Sequence, residues 1–262
     1  MQVAALQHVQ MRWQEDGDPA GRPLVFANSL GTDLRLWDKI IPRLPAGLRV
    51  IRFDKRGHGL SSCLNGPYTM DDLASDAIEL MDMLDIKGAA FVGLSIGGMI
   101  GQAIAAKRPD LIAALVLSNT AARMGDAATW QGRIDAIEKG GIESMADAVM
   151  ERWFGPAFRQ TTELTAWRNM LTRTPQQGYV GCCHAIAAAD LSASTAALRL
   201  PVMGIAGAVD GSSPPEVVKA TTDMVPGSSF HVIDGAGHLP CVEAPEEFAN
   251  LLASFLRDTA NV

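Results

Sequence analysis

A serine enclosed by glycines at a strand-to-helix junction constrains this chain more than any other feature. The run Gly-Leu-Ser-Ile-Gly at positions 93–97 follows an apolar, strand-like segment and precedes the helical pattern of residues 99–107. A chain that turns this sharply strains its central residue, Ser95, and makes the side chain stand clear of the sheet. Glycine is needed two positions to either side because a Cβ there would collide with the neighbouring strand or helix. The junction therefore predicts an exposed, reactive serine on an α/β framework.

Apolar runs and helical stretches alternate along both halves of the chain. The runs expected to form buried parallel strands are residues 24–27, 50–53, 89–94, 114–117, 201–206 and 229–233. The stretches expected to form helices are residues 34–44, 71–84, 99–107, 214–224 and 245–256. This alternation predicts an α/β fold with a mostly parallel central sheet flanked by helices.

The strand pattern disappears between the two halves. Residues 121–192 have the spacing of several short helices instead. We interpret this segment as an all-helical cap, inserted into a core that is built from residues 1–120 and 193–262. The active site of an open α/β sheet lies at the carboxyl ends of the strands and needs a cover that excludes water. The alternative interpretation is that the segment simply adds to the core.

Composition argues against several classes of protein. The 262 residues are 48% hydrophobic and 19% charged, which is typical of a globular chain. The net charge of −7 argues against nucleic acid as a partner, because phosphate binding needs a basic face. The first residues lack the features of a signal peptide, and no run approaches the roughly 20 apolar residues that cross a membrane. Metal-ligand spacing is absent from the sequence. We therefore expect a cytoplasmic protein without a metal, whose oligomeric state the sequence leaves open.

A serine needs a base and an acid to become a nucleophile. In a fold of this type their order along the chain is serine, acid, histidine. His238 is the predicted base, because it ends the glycine-containing loop at 234–238, which is free to swing over the serine. Asp210 is the predicted acid, since it stands just beyond a predicted strand, at the sheet edge where the serine emerges. Asp234 is the alternative acid, although its closeness to His238 favours a role in capping its own loop.

Two backbone N–H groups are predicted to hold the oxyanion that forms when the serine attacks a carbonyl. One belongs to Ile96, at the start of a helix whose dipole favours negative charge. The other is expected from loop 28–32, with Leu30 preferred and Ser29 as the alternative. The polar loop at 54–61 is interpreted as a structural support. A phosphate-binding glycine loop is absent from the sequence.

These motifs together resemble the α/β-hydrolases over essentially the whole chain. Three segments carry the resemblance: residues 53–61, 93–98 and 235–238. Within that superfamily the likeness is closest to the 3-oxoadipate enol-lactonases of the β-ketoadipate pathway. Its residues are the Asn-Ser-Leu-Gly-Thr-Asp loop at 28–33, which replaces a more usual histidine-glycine loop, and parts of 130–134, 151–154 and 178–191 in the insertion. The acid loop at 210–215 is similar but less typical in its middle.

The resemblance implies a substrate and a reaction. The substrate is a small anionic enol-lactone with one free carboxylate, hydrolysed to 3-oxoadipate through an acyl-enzyme on Ser95 without a cofactor. Trp130 and Arg133 lie on nearly the same face of a predicted helix. We therefore expect the tryptophan to cover the lactone ring and the arginine to bind the carboxylate. Two alternatives remain: another ester, lactone or C–C bond hydrolase of the same fold, or a small-molecule receptor with little turnover.

Overall fold

The computed structural model describes residues 1–259 of the chain. Over these residues eight strands form one sheet in the order β1-β2-β4-β3-β5-β6-β7-β8. The strands are β1 (Gln2–Ala5), β2 (Gln10–Gly17), β3 (Arg22–Ala27), β4 (Leu48–Phe53), β5 (Ala89–Leu94), β6 (Ile112–Ser118), β7 (Val202–Gly207) and β8 (Ser229–Ile233). All pairings from β3 to β8 are parallel, whereas β1–β2 and β2–β4 are antiparallel. The predicted mostly parallel central sheet is confirmed.

The two antiparallel strands at the start of the chain were absent from the sequence prediction. Strand β2 is half-exposed along most of its length, so it lacks the continuous apolar run that marks β5, which is buried throughout. A strand that is covered on both faces is visible as an apolar run, and a strand near the sheet edge is not.

Ten α-helices lie within the described residues. They are α1 (Met70–Met83), α2 (Ile96–Lys107), α3 (Ala127–Gly140), α4 (Ala146–Trp153), α5 (Leu164–Thr172), α6 (Gln176–Ala188), α7 (Ser192–Ala196), α8 (Pro215–Thr222), α9 (Pro240–Glu243) and α10 (Pro245–Asp258). Helix α1 shows why such a segment is helical: Thr69 and Asp72 form a capping box, and Leu73, Ala77 and Leu80 are buried on one face.

The helix predicted at 34–44 is instead two 3₁₀ turns, Leu34–Trp37 and Ile41–Arg43. Pro42 lies in the first turn of the second segment and has no N–H with which to continue a helix through this region. The prediction of one continuous helix there was wrong.

Between β6 and β7 the described chain contains helices α3 to α7 and two 3₁₀ turns, Ile142–Met145 and Phe158–Gln160. Buried side chains from this segment, among them Trp153, Leu171 and Cys182, belong to the same hydrophobic cluster as the sheet. The segment therefore shares one hydrophobic core with the rest of the described chain. Within residues 1–259, no helix is both long enough and apolar enough to span a membrane.

The parallel strands determine where polar side chains meet. Strands β3, β5, β6 and β7 are consecutive neighbours in the sheet and run in the same direction. The loops that follow them therefore gather at one edge, which is where open α/β sheets bind their ligands.

Candidate active site

Ser95 occupies a strained turn between β5 and α2. Its backbone angles are φ 58° and ψ −121°, a conformation that residues with a side chain rarely adopt. Its N–H donates a 2.9 Å hydrogen bond to Ser118 O, which ties the turn to the end of β6. A Cβ at Gly93 would collide with the Gly97 carbonyl, and one at Gly97 would collide with the Ala27 carbonyl. The collisions expected from the sequence are thus present, and the turn requires both glycines.

The structure brings Asp210 and His238 together. Asp210 follows β7 and His238 follows β8, and their Oδ2 and Nδ1 atoms are 2.9 Å apart. The backbone N–H of His238 donates to Trp153 O at 2.8 Å, so the insertion helps to hold the histidine loop. Burial acts to raise the pKa of Asp210, but the His238 charge and three hydrogen bonds outweigh it and leave that pKa lowered. Asp234 is exposed and far less suited to orient a buried imidazole.

Asn119 also holds the acid, and sequence reasoning missed it. Its side-chain amide donates to Asp210 Oδ2 at 2.8 Å and to Gly237 O at 3.3 Å. Asn119 has φ 47°, so the chain turns immediately after β6 and aims the amide at the acid. The other carboxylate oxygen, Asp210 Oδ1, accepts a 2.7 Å bond from Ser212 N–H. A polar residue directly after a buried strand was the available signal.

The outer nitrogen of the histidine points into the site. His238 Nε2 lies 3.5 Å from Ser29 Oγ. Within the part of the chain that the structure describes, Nε2 and Ser95 Oγ do not form a hydrogen bond. Hydrogen bonds of this kind are often long in enzymes without substrate and shorten in the substrate complex. Ser29 is thus adjacent to the imidazole through its hydroxyl.

Both predicted oxyanion donors belong to buried residues. The Ile96 N–H is the first of helix α2 and therefore has no acceptor within its own helix. Leu30 is 5% exposed, and among residues 1–259 its N–H donates to no acceptor. Two N–H groups without intramolecular acceptors are what a developing oxyanion requires.

Side chains from the loop that follows β4 form hydrogen bonds with the backbone of the loop that carries Leu30. Gly31 N–H donates to His58 Nε2 at 2.9 Å, and Lys55 Nζ donates to Ser29 O at 2.6 Å. Burial, assisted by the Lys55 charge, holds the pKa of His58 well below its usual range, so the ring is neutral and Nε2 can accept. These contacts agree with the structural role expected for loop 54–61.

Trp130 and Arg133 are adjacent on α3, as their spacing predicted. Arg133 Cζ lies 4.8 Å from the centre of the Trp130 ring, and Trp130 Nε1 donates to Met124 O. Burial raises the pKa of Tyr179 to about 12, and the charges of Arg133 and Arg152 act in the opposite direction. Both guanidinium groups therefore lie near this tyrosine.

Arg152 was not singled out from the sequence. Burial, and then the charge of Arg133, lowers its pKa. A Cβ at Gly211, next to the acid, would lie 3.4 Å from Arg152 Cγ. Across residues 1–259, neither Arg133 nor Arg152 forms an ion pair with a carboxylate. Two half-buried arginines thus lie near Tyr179, and one of them, Arg152, is also close to Gly211 in the acid loop.

The described residues hold no group of three or more histidine, cysteine, aspartate or glutamate side chains that could bind a metal ion.

Comparison with known proteins agrees with the fold. The sequence profile of the family described as alpha/beta hydrolase fold matches residues 22–245. The chain is 34% identical over 241 residues to 3-oxoadipate enol-lactonase 2 of Acinetobacter baylyi, which covers 91% of this chain and 90% of that protein. It is 30% identical over 246 residues to 3-oxoadipate enol-lactonase 1 of the same organism, and the match covers 93% of this chain and 92% of that protein.

A solved structure gives the same result in three dimensions. The crystal structure of the enol-lactonase from Burkholderia xenovorans LB400 superposes with a TM-score of 0.94 at 34% identity, covering 98% of this chain and all of that one. The predicted fold and the predicted class, a hydrolase of esters or lactones, are confirmed by these likenesses. The chain therefore belongs to the α/β-hydrolase family.

Proposed function

We propose that this chain hydrolyses 3-oxoadipate enol-lactone to 3-oxoadipate, as a step in the breakdown of aromatic compounds by the β-ketoadipate pathway. The observation that carries the proposal is the 2.9 Å contact between His238 Nδ1 and Asp210 Oδ2 at the sheet edge where the strained Ser95 emerges. The identity of the lactone is inferred from the names of the similar proteins.

In the proposed reaction Ser95 Oγ attacks the lactone carbonyl while His238 Nε2 takes its proton. Asp210 accepts from Nδ1–H, which keeps the imidazole in the required tautomer and stabilises the imidazolium that forms. The Leu30 and Ile96 N–H groups donate to the oxyanion of the tetrahedral intermediate. When the ring opens, the C–O bond to the enol oxygen breaks, that oxygen takes the proton from His238, and the enol tautomerises to a ketone.

The second half of the reaction frees the enzyme. Water gives a proton to His238 and attacks the acyl group on Ser95, and the ester bond to Oγ then breaks. The proton returns from His238 to Oγ, so the enzyme is regenerated. The new carboxylic acid loses its proton to solvent, and the product leaves as a dicarboxylate. One imidazole carries the protons that Ser95 and the attacking water exchange, and the scheme uses no cofactor.

The free carboxylate of the substrate needs a cation, because the chain as a whole carries a net charge of −7. Arg133 and Arg152 are half-buried, lie near Tyr179, and have no carboxylate partner within the described residues. A guanidinium group donates two parallel hydrogen bonds to a carboxylate and stays charged. We assign the carboxylate to Arg133, with Trp130 against the lactone ring and Arg152 as a second cation.

Residues 121–192 act, in this proposal, as the cap over the site. Their helices supply Trp130, Arg133 and Arg152, and the Trp153 carbonyl that accepts from the histidine loop. A cap that closes over the lactone excludes water from the first step and strengthens each charged contact.

The test compares two substrates on the purified protein and on Ser95→Ala. We expect rapid turnover of 3-oxoadipate enol-lactone, a lower kcat/KM for p-nitrophenyl acetate, and loss of both in Ser95→Ala. A preference for the neutral ester would instead indicate an esterase with another substrate. Binding of either molecule without turnover, unchanged in Ser95→Ala, would indicate a receptor.

A further inference from the structure

We propose that Lys55 is a positioning residue for the reaction, whose buried ammonium group aligns and polarises the peptide bond that presents the Leu30 N–H to the oxyanion. This inference rests on the proposed function, because it concerns the oxyanion site of that reaction. Nothing in the sequence motifs distinguished Lys55 from the other polar residues of loop 54–61.

The geometry of Lys55 is unusual for a lysine. The residue is 2% exposed, and its ammonium group lies beneath the loop that follows β3. Nζ donates to Ser29 O at 2.6 Å and has longer contacts with Thr32 O at 3.4 Å and Asn28 O at 3.5 Å. The partners of this cation are therefore backbone carbonyls and not a carboxylate.

The shortest of these bonds reaches the peptide group of interest. Ser29 O and Leu30 N–H belong to the same planar peptide unit and point in opposite directions. Lys55 thus holds the carbonyl end of the unit whose N–H end is the proposed oxyanion donor. Gly31 N–H donates to His58 Nε2 and Thr32 N–H donates to Ser29 O, so the next two N–H groups along the loop are occupied. In residues 1–259 the Leu30 N–H has no such acceptor.

A cation at the carbonyl end strengthens the donor at the amide end. Hydrogen bonds in a chain polarise one another, and the effect grows in a site of low dielectric constant. A full positive charge on one side of the peptide makes its N–H more positive, so the N–H stabilises an oxyanion more than a neutral substrate carbonyl. An interaction that is stronger in the transition state raises kcat and leaves KM nearly unchanged.

The surroundings of Lys55 make its charge titratable. Burial lowers the pKa of Lys55 to about 8. Three groups act in the opposite direction: Cys182 from α6, the adjacent Asp54, and Asp33 from the loop that follows β3. His58 remains neutral because its pKa is well below the usual range, and burial raises the pKa of Cys182 to about 12. Lys55 is therefore the group in this cluster that changes charge near pH 8.

The first experiment replaces Lys55 by methionine, which is unbranched and only one atom shorter, and which removes the charge. We expect kcat per active site for p-nitrophenyl acetate and for the enol-lactone to fall about 10-fold or more, since loss of a complete oxyanion donor costs about 100-fold or more. KM should stay within about threefold, as uniform binding is unaffected. The burst of p-nitrophenolate counts active sites, so unfolded protein does not enter kcat.

Lys39→Met is the matched control. Lys39 also donates to a backbone carbonyl, Val242 O, but it pairs with Glu163 at the surface. Its ammonium group forms no hydrogen bond with loop 28–32 in the described residues. We expect its kcat to match that of the unchanged protein. If Lys55→Met also kept its kcat, or lost activity through KM alone, Lys55 would be a structural residue and the proposal would be wrong.

The pH dependence of kcat distinguishes an effect of the Lys55 charge from an effect of its side-chain shape. This measurement also tests the proposal if Lys55→Met does not fold. In the unchanged protein kcat should decline above about pH 8, following the pKa of Lys55. Lys55→Gln keeps a donor without a titratable charge, and its kcat should be low and flat over the same range. An unchanged protein whose kcat does not decline, or a Lys55→Gln profile with the same decline, would overturn the proposal.

Failure of this inference is distinguishable from failure of the proposed function. Turnover that persists in Ser95→Ala would overturn the proposed function and the Lys55 inference together. Turnover that depends on Ser95 but is insensitive to Lys55 would overturn the Lys55 inference alone.

Discussion

The side-chain amide of Asn119 and the imidazole of His238 share one oxygen of Asp210. Oδ2 accepts from Asn119 Nδ2 at 2.8 Å and lies 2.9 Å from His238 Nδ1. Because Asn119 also donates to Gly237 O, it links the acid to the residue just before the histidine. Asp210 and His238 are thus oriented by a third side chain from the end of the neighbouring strand.

Replacing Asn119 by alanine should reduce kcat about 10-fold, because the Asp210 carboxylate loses a hydrogen bond worth roughly 1–3 kcal/mol and becomes free to rotate. Steady-state kinetics on p-nitrophenyl acetate measure the effect. Asn250→Ala, at an exposed position on α10, is the control and should be unchanged. Full activity in Asn119→Ala would mean that Ser212 N–H alone holds the carboxylate.

The proposed triad makes a second prediction. Ser95→Ala and His238→Ala should each lower kcat by about 10⁴-fold or more, and Asp210→Asn somewhat less, since the three residues act as a unit. Circular dichroism should show that the variants remain folded. Asp234→Asn is the control, because Asp234 is exposed, and it should stay active. Loss of activity in Asp234→Asn but not in Asp210→Asn would reassign the acid.

Substrate recognition is tested at the two unpaired arginines. Arg133→Met should lower kcat/KM for the enol-lactone about 30-fold or more, since losing one partner of a buried charge pair costs roughly 2–5 kcal/mol. Hydrolysis of a neutral p-nitrophenyl ester should barely change. Arg152→Met should have a smaller effect of the same kind, given its assignment as the second cation.

Arg173→Met is the control for these variants, because Arg173 is an exposed arginine of the same insertion. Equal losses on both substrates in Arg133→Met would indicate that α3 had been disturbed. A loss in Arg152→Met without one in Arg133→Met would move the carboxylate to Arg152.

Lys55 should also make stability depend on pH. Its pKa is about 8 in the folded protein and 10.5 in an unfolded chain, so the unfolded chain binds more protons between these values. Burial disfavours the charged lysine, so the free energy of unfolding is reduced in full below pH 8, rises between pH 8 and pH 10.5, and is unaffected by the shift above pH 10.5. The full effect is about 3 kcal/mol for a shift of this size.

Urea denaturation of the unchanged protein and of Lys55→Met at pH 7 and pH 10 tests this prediction. The free energy of unfolding of the unchanged protein should rise relative to that of Lys55→Met as the pH increases. Parallel behaviour of the two proteins would show that Lys55 keeps the same charge in both the folded and the unfolded states.

The sequence by itself determined the framework and the order of the proposed catalytic residues. Ser95, Asp210 and His238 each lie just beyond a strand. Such a pattern is visible in the sequence because a strand and the loop after it are contiguous in the chain. The two N-terminal strands and the broken helix at 34–44 escaped this reasoning, since edge burial and proline placement weaken the periodic signal.

The tertiary structure alone decided which distant groups support those residues. Asn119 is 91 positions from Asp210, and Lys55 is 26 positions from Ser29, yet both form bonds shorter than 3 Å. No periodicity encodes such pairs, because they arise from the parallel order of the strands, which gathers separate loops at one sheet edge. The sequence shows that a lysine is present at position 55, but its burial beneath loop 28–32 depends on how the loops after β3 and β4 pack together.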